Sequence, residues 1–277
     1  MNGVEARQRF SQEIEQPEDE ISLARAALYI AAEEYPELDT DEYLNALDTM
    51  AAEVSERLPA ERYPLKTIQA LNGYLFEDLG FVGNTKDYYD PRNSYLNQVI
   101  ERRTGIPITL SLVYLEVSQR IGFPMVGVGM PGHFLIRPTV NEMEVFVDPF
   151  HHGEVLFPED CRDRLSQIYG RPVELRAEFL QAVSPHQFLI RMLTNLKMIY
   201  LKQGDLDRTL ASVERILLIA PDALSERRDR GLLYYEQGRW DDAIGDLEFY
   251  LQQVPVEQDQ TTIRRILDIM YERDRES

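Results

Sequence analysis

The sequence holds a single cysteine, Cys161, among its 277 residues. One thiol excludes an internal disulfide and any multi-cysteine metal site. No apolar run approaches the ~20 residues that a membrane span needs. The opening MNGVEARQRFSQEIEQ has no basic stretch followed by an apolar core, so a signal peptide is not expected and a cytoplasmic location is. Basic charge is short as well: 29 Lys and Arg stand against 48 Asp and Glu, for a net charge of −19. Residues 1–61 carry 16 acidic and 4 basic side chains, a net of −12. Such a chain repels phosphate backbones and anionic lipid, so neither nucleic acid nor membrane is an expected partner. The surplus serves as a solvated surface or as a docking face for a basic protein.

What remains is an ordinary globular composition, 44% hydrophobic and 28% charged, long enough for one large domain or two modest ones. Its clearest pattern is internal. With residues 193–226 set above 227–260, Tyr200 falls on Tyr234, Gly204 on Gly238 and Asp207 on Asp241. Leu206 falls on Trp240, Leu210 on Ile244, Leu217 on Leu251, and Pro221 on Pro255. The glycines permit a left-handed turn between two helices. The prolines stop the second helix, and the apolar positions form the stripe that packs one helix on the other. A period of 34 resembles the tetratricopeptide family, whose arrays bind peptides or proteins. About three repeats normally bury a continuous core, and here there are two with a trailing helix over 261–272. Packing against the rest of the chain and binding a partner both stay open.

The first part of the chain reads as helices over 21–35, 39–58, 64–79 and 94–103, punctuated by Pro36, Pro64 and a breaker-rich, tyrosine-rich loop from Gly80 to Asn93. Pro107 to Ile121 is apolar nearly all round, which places this helix at a domain centre. Short strands are expected at Met125–Met130, His133–Arg137 and Glu144–Val147. A hairpin symmetric about Pro138–Glu142 pairs residues whose numbers sum to about 281, so His133 faces Asp148. Opposed residues have Cβ atoms about 5 Å apart on one face. A carboxylate there fixes the imidazole tautomer and raises its basicity. His133 as a backbone-bonded structural histidine and Asp148 as a turn former before Pro149 are the alternatives. Asp148, His151 and His152 lack a recognisable ligand spacing, and neither a metal nor another cofactor is expected.

A buried helix after Gly-x-x, a strand opening on His and a strand closing on Asp-Pro resemble the transglutaminase-like (papain-like) core. That resemblance implies a Cys–His–Asp triad, with cysteine at the start of the buried helix as nucleophile, histidine as base and aspartate as orienter. Residues 71–155 are more closely similar to the bacterial SirB-one family, a transglutaminase-like core followed by tetratricopeptide repeats. The stretches that carry it are Leu71-Asn72-x-Tyr74-Leu75-Phe76, Gly80-Phe81-x-Gly83-Asn84 and Asn93-Ser94-Tyr95-Leu96-Asn97. Arg103-x-Gly105-Ile106-Pro107-Ile108-Thr109-Leu110-Ser111, Pro131-Gly132-His133-Phe134-Leu135 and Asp148-Pro149-Phe150 continue it. A related core occurs in a eukaryotic F-box protein.

One departure outweighs these matches. Gly105-Ile106-Pro107 stands where the active superfamily has Gly-x-Cys, and Pro107 carries no nucleophilic atom. Cys161 falls after the third strand and does not replace it. Ser111 lies one turn, about 5.4 Å, further along the face of Pro107. It offers a conceivable Ser111–His133–Asp148 arrangement, or else bonds the carbonyl four residues before it. Asn97, Gly105, Pro107 and Gly132 are expected to shape a ligand cleft.

The expected architecture is α+β and predominantly helical: a transglutaminase-like core with a small antiparallel sheet, followed by two tetratricopeptide hairpins. The expected division is 1–155, a packed connector over 156–185, and 186–277, moving as one rigid unit. Three functions follow. A core without its nucleophile binds a protein or peptide, Ser111 supports a hydrolase or acyl transferase, or the chain is a structural subunit of an assembly. Oligomeric state is left open.

Overall fold

A computed structural model describes residues 2–59, 63–140, 144–253 and 260–276, without the side chains of 273–276. The chain divides into two compact units, residues 1–192 and 193–277. The first opens with α1 (Gly3–Ile14), α2 (Leu23–Glu34) and α3 (Thr40–Arg57). Each start is capped by a short polar side chain. The side chains of Asn2, Ser22 and Asp39 accept from backbone amides of the first turn, which would otherwise be orphaned. α2 is rich in alanine, and Ala24, Ala26, Ala27, Ala31 and Ala32 are buried. Small side chains let the neighbouring helices α1, α3 and α5 (Leu96–Arg102) approach closely.

α4 (Pro64–Asn72) starts on its proline and widens into a π-helical turn over Gly73–Asp78. The sequence expectation of one helix over 64–79 is met by this pair. The breaker-rich loop that follows contributes β1 (Val82–Gly83), which pairs in parallel with β2 (Thr104–Gly105). At the centre lies α6 (Pro107–Arg120), with eleven residues buried from Pro107 to Ser118. Gln119 is exposed and Glu116 and Arg120 partly so, and the rest of the helix is enclosed, as the sequence predicts for a central helix. Each large aliphatic side chain so buried contributes about 1.5–3 kcal/mol.

Four antiparallel strands pack beside α6 in chain order: β3 (Met125–Val128), β4 (Leu135–Pro138), β5 (Phe146–Asp148) and β6 (Glu154–Leu156). The sequence predicts three of them. β6 is short and follows a tight turn, which hides it from any periodicity. The observed register pairs Ile136 with Val147, a sum of 283 rather than 281. His133 precedes β4, in a turn where its amide donates to the Met130 carbonyl and Gly132 has φ +74°. The turn that should set this register, Pro138–Glu142, runs partly outside the described residues. α7 (Pro158–Tyr169) seals the sheet: Cys161 and Leu165 are buried with Val128, Met130, Leu135 and Phe146.

The second unit is built from the end of α8 (Pro185–Gln203), α9 (Leu206–Ile219), α10 (Leu224–Glu236), α11 (Trp240–Gln253) and α12 (Gln260–Glu276). Gly204 and Gly238 have φ of +73° and +72°, as the 34-residue offset requires of the two turns. Leu210, Val213, Leu217, Leu233, Tyr234, Leu247 and Tyr250 form the core with Ile263 and Leu267 of α12. Trp240 and Ile244, the repeat partners of Leu206 and Leu210, pack against it. A Cβ on Gly231 would come within 2.7 Å of Leu247, so α10 and α11 touch where the side chain is missing. Pro255, the second helix stop of the sequence alignment, lies outside the described residues.

Candidate functional site

Asp148 is the centre of a polar cluster at the end of β5, with no exposed surface. Its Oδ1 accepts from the amides of Phe150 and His151, at 3.1 and 3.3 Å. This caps the 3-10 turn Pro149–His151 and fixes the carboxylate plane. Its Oδ2 lies 2.7 Å from His133 Nε2, 2.8 Å from His151 Nδ1 and 2.9 Å from Arg164 Nη1. Arg164, from α7, also holds Glu154 on β6. Burial pushes the Asp148 carboxyl up. Hydrogen bonds from His133 and His151, and their positive charge when protonated, outweigh it and hold the group well below the usual carboxylate range.

The contact between His133 and Asp148 expected from the sequence is therefore present, through a side chain that reaches down from the turn before β4. A carboxylate oxygen only accepts, so His133 Nε2 carries the proton. In the neutral ring Nδ1 is then an acceptor, and among the described residues nothing donates to it. The ring is 6% exposed and lies edge-on to Phe150, at 6.1 Å between centroids. Phe150 in turn meets Tyr88 at 6.1 Å. Two aromatic side chains thus line the approach to the imidazole.

The start of α6 comes close through β1. Gly83 pairs with Gly105, and a Cβ on Gly83 would stand 2.6 Å from the Phe150 ring. Gly105 is equally confined: a Cβ there would meet Thr109 Oγ1 at 2.8 Å. Pro107 is buried at the first helical position and offers no donor or nucleophile. Gly132 sets the turn that delivers His133, and its hydrogen faces Ile168, 2.7 Å from an added Cβ.

Ser111 and Asn97 do not join this cluster by hydrogen bonds. Ser111 is fully buried, and its Oγ has no hydrogen-bond partner, so it bonds neither His133 nor the carbonyl four residues back. Asn97 Oδ1 is likewise buried without a partner. Cys161 is sealed in the apolar layer under the sheet, and burial pushes its thiol up to about 12.

The sequence pattern singles out neither His151 nor Arg164 as a partner of Asp148. Residues 149–151 form a turn and His152 is left-handed, with φ 56°. An aspartate that caps a turn brings the residue three positions on to its own side, a signal that Asp-Pro-Phe-His does carry. Arg164 arrives from a separate helix and leaves no local trace. His133, Asp148 and His151 present ligand atoms within 4.8 Å of one another, the raw material of a two-histidine, one-carboxylate metal site. Arg164 Nη1 stands among the same atoms, so a cation would have to displace it.

Residues 41–194 match the family described as "Transglutaminase-like superfamily", and residues 196–268 match "Tetratricopeptide repeat". A UPF0162 protein of Xylella fastidiosa is 39% identical over 265 residues, 92% of each chain. Human F-box only protein 21 is 30% identical over 187 residues, covering 63% of this chain and 29% of its own length. A crystal structure of menin aligns with 96% of this chain and 74% of its own, at 10% identity and a TM-score of 0.42.

Proposed function

The chain belongs to the transglutaminase-like superfamily and to the UPF0162 proteins, and from that premise we propose that it is a non-catalytic protein- or peptide-binding member. The finer resemblance to the SirB-one family belongs to the same proposal. One observation carries the reading: the imidazole is oriented by Asp148 as a triad histidine would be, yet its open nitrogen bonds no nucleophile among the described residues. Pro107 stands at the helix start, Cys161 is buried with its thiol pushed up, and Ser111 Oγ makes no hydrogen bond. A general base needs the atom it deprotonates at about 2.6–3.2 Å, directly or through one water.

What such a site keeps is recognition. His133 Nδ1 accepts from a backbone or side-chain N–H, while Phe150 and Tyr88 supply apolar walls beside it. Tetratricopeptide repeats commonly mediate protein–protein interaction, which favours a polypeptide ligand. Among the described residues no helix is long and apolar enough to cross a membrane. The test is equilibrium capture from a defined peptide pool, with bound peptides read by mass spectrometry. Enrichment of intact peptides by wild type and not by His133→Ala is expected. Steady cleavage or acyl transfer that needs His133 would overturn the reading in favour of the hydrolase, and capture of no peptide would remove it altogether.

A further inference from the structure

The carbonyl of His133 is held by Arg191, on the part of α8 that belongs to the first unit. Arg191 Nη2 donates to the carbonyls of His133 and Met130, at 2.6 and 3.0 Å. Its guanidinium lies over the Phe134 ring at 5.4 Å. This cation is unusual for its chain in what it lacks. Most of the half-buried cations here hold a carboxylate: Arg164 has Asp148 and Glu154, Arg120 has Asp48 and Glu116, and Arg230 has Asp246. Arg191 has none among the described residues, although acids outnumber bases in the sequence by 19. Carbonyls supply partial negative charge and satisfy Nη2. They do not neutralise the cation, and Nη1 and Nε make no hydrogen bond to any described residue.

Burial pulls the Arg191 guanidinium below the usual arginine range, and the titratable group that opposes this is the Tyr88 phenol, itself pushed up by burial and so neutral at neutral pH. Tyr88 packs on Phe150, which packs on His133. His133 thus joins Arg191 to these rings: its carbonyl holds Arg191 and its ring meets Phe150, with Nη1 and Nε unused on the guanidinium and Nδ1 unused on the imidazole. Nη1 lies 3.4 Å from where a Cβ on Gly129 would be, beside Val183 Cγ1 at 3.0 Å, so the guanidinium packs against the backbone just after β3. Leaving a charged group half-buried without a counter-ion costs free energy that a bound anion returns.

We propose that Arg191 is the anion anchor of this site and that the ligand presents it with a carboxylate, the C-terminus or an acidic side chain of a peptide, whose neighbouring N–H donates to His133. A carboxylate oxygen can accept from an N–H of Nη1 or from Nε–H. Both bidentate edges of the guanidinium need Nη2, which is committed to the two carbonyls, so the anchor is a charge-assisted hydrogen bond and not a fork. The inference rests on the peptide-binding reading above and adds the chemistry of the ligand. It also accounts for an acidic protein binding an acidic group: one short, partly desolvated contact works against a distant net charge that salt screens.

The test uses the full-length protein and a pool of random nine-residue peptides in three forms: free C-terminus, C-terminal amide, and C-terminal amide lacking Asp and Glu. Wild type should capture the free-acid pool and lose at least tenfold of that capture on the third pool. The second pool separates the sources, since retention there assigns the carboxylate to an acidic side chain and loss assigns it to the C-terminus. Arg191→Met should abolish the preference. Arg191→Lys, which keeps the charge on a single nitrogen, should retain it in part. Because Arg191 also holds two carbonyls, Arg191→Met can lower the folded population; the peptide-side comparison on wild type stands without it. Equal capture of all three pools would overturn the carboxylate inference and leave peptide binding standing. No capture of any pool would overturn both.

Discussion

Replacing Asp148 by asparagine keeps the shape of the side chain and removes the charge around which the site is built. The carboxylate is fully buried and faces His133, His151 and Arg164 through one oxygen. Removing one partner of a buried charged cluster costs about 3–5 kcal/mol. The lower figure applies here, because His151 is 44% exposed in its side chain and Arg164 keeps Glu154. A loss of ~3 kcal/mol corresponds to roughly a hundredfold rise in opening, at 1.36 kcal/mol per tenfold. Hydrogen exchange of peptides spanning 125–156, read by mass spectrometry at pH 7, measures it locally. The sign of the pH dependence follows from the depressed carboxyl. Its contribution is present above the unfolded aspartate value of about 3.9, and it is lost as pH falls through the lower folded value. Wild type and Asp148→Asn should therefore converge in acid. A change of less than about fivefold at pH 7 would refute the claim that Asp148 organises this site.

Three further outcomes follow from buried groups. Cys161 should resist iodoacetamide in native buffer and react fully in denaturant, as burial has pushed its thiol up to about 12; rapid native alkylation would place it outside the apolar layer. Ser111→Ala should leave thermal stability unchanged or raise it by up to ~1–2 kcal/mol, since the hydroxyl removed is buried without a partner; clear destabilisation would show a bond that the geometry lacks. Gly153→Ala should cost more than ~2 kcal/mol in a thermal melt. Gly153 has φ +74°, and a Cβ would fall 2.1 Å from Asn72 Oδ1. Asn72 cannot give way easily, being tied to the Gly153 carbonyl and Tyr114.

Local chemistry was legible in the sequence, and long-range geometry was legible only where two local signals framed it. Gly204, Gly238 and Pro221 dictate their turns without help from the rest of the chain, so the repeats could be read by spacing alone. Pro107 and the apolar residues after it marked α6 as central for the same reason. The His133–Asp148 contact was framed by a strand on either side, which brought it within reach despite a register displaced by two. His133 itself belongs to the Met130–His133 turn and not to the strand, and its side chain still reaches Asp148. Arg164 and Arg191 come from helices far along the chain, and no spacing rule links them to the residues they hold. Ser111 shows the opposite failure. A helical serine commonly bonds its own backbone, but its Oγ has no partner.

The central claim is that an oriented imidazole here serves no nucleophile. Intact-protein mass spectrometry after prolonged incubation with a fluorophosphonate and, separately, with an acyl-donor peptide tests it most directly. The account predicts an unchanged protein mass in both. A stoichiometric adduct within residues 41–194 that vanishes in His133→Ala would contradict it.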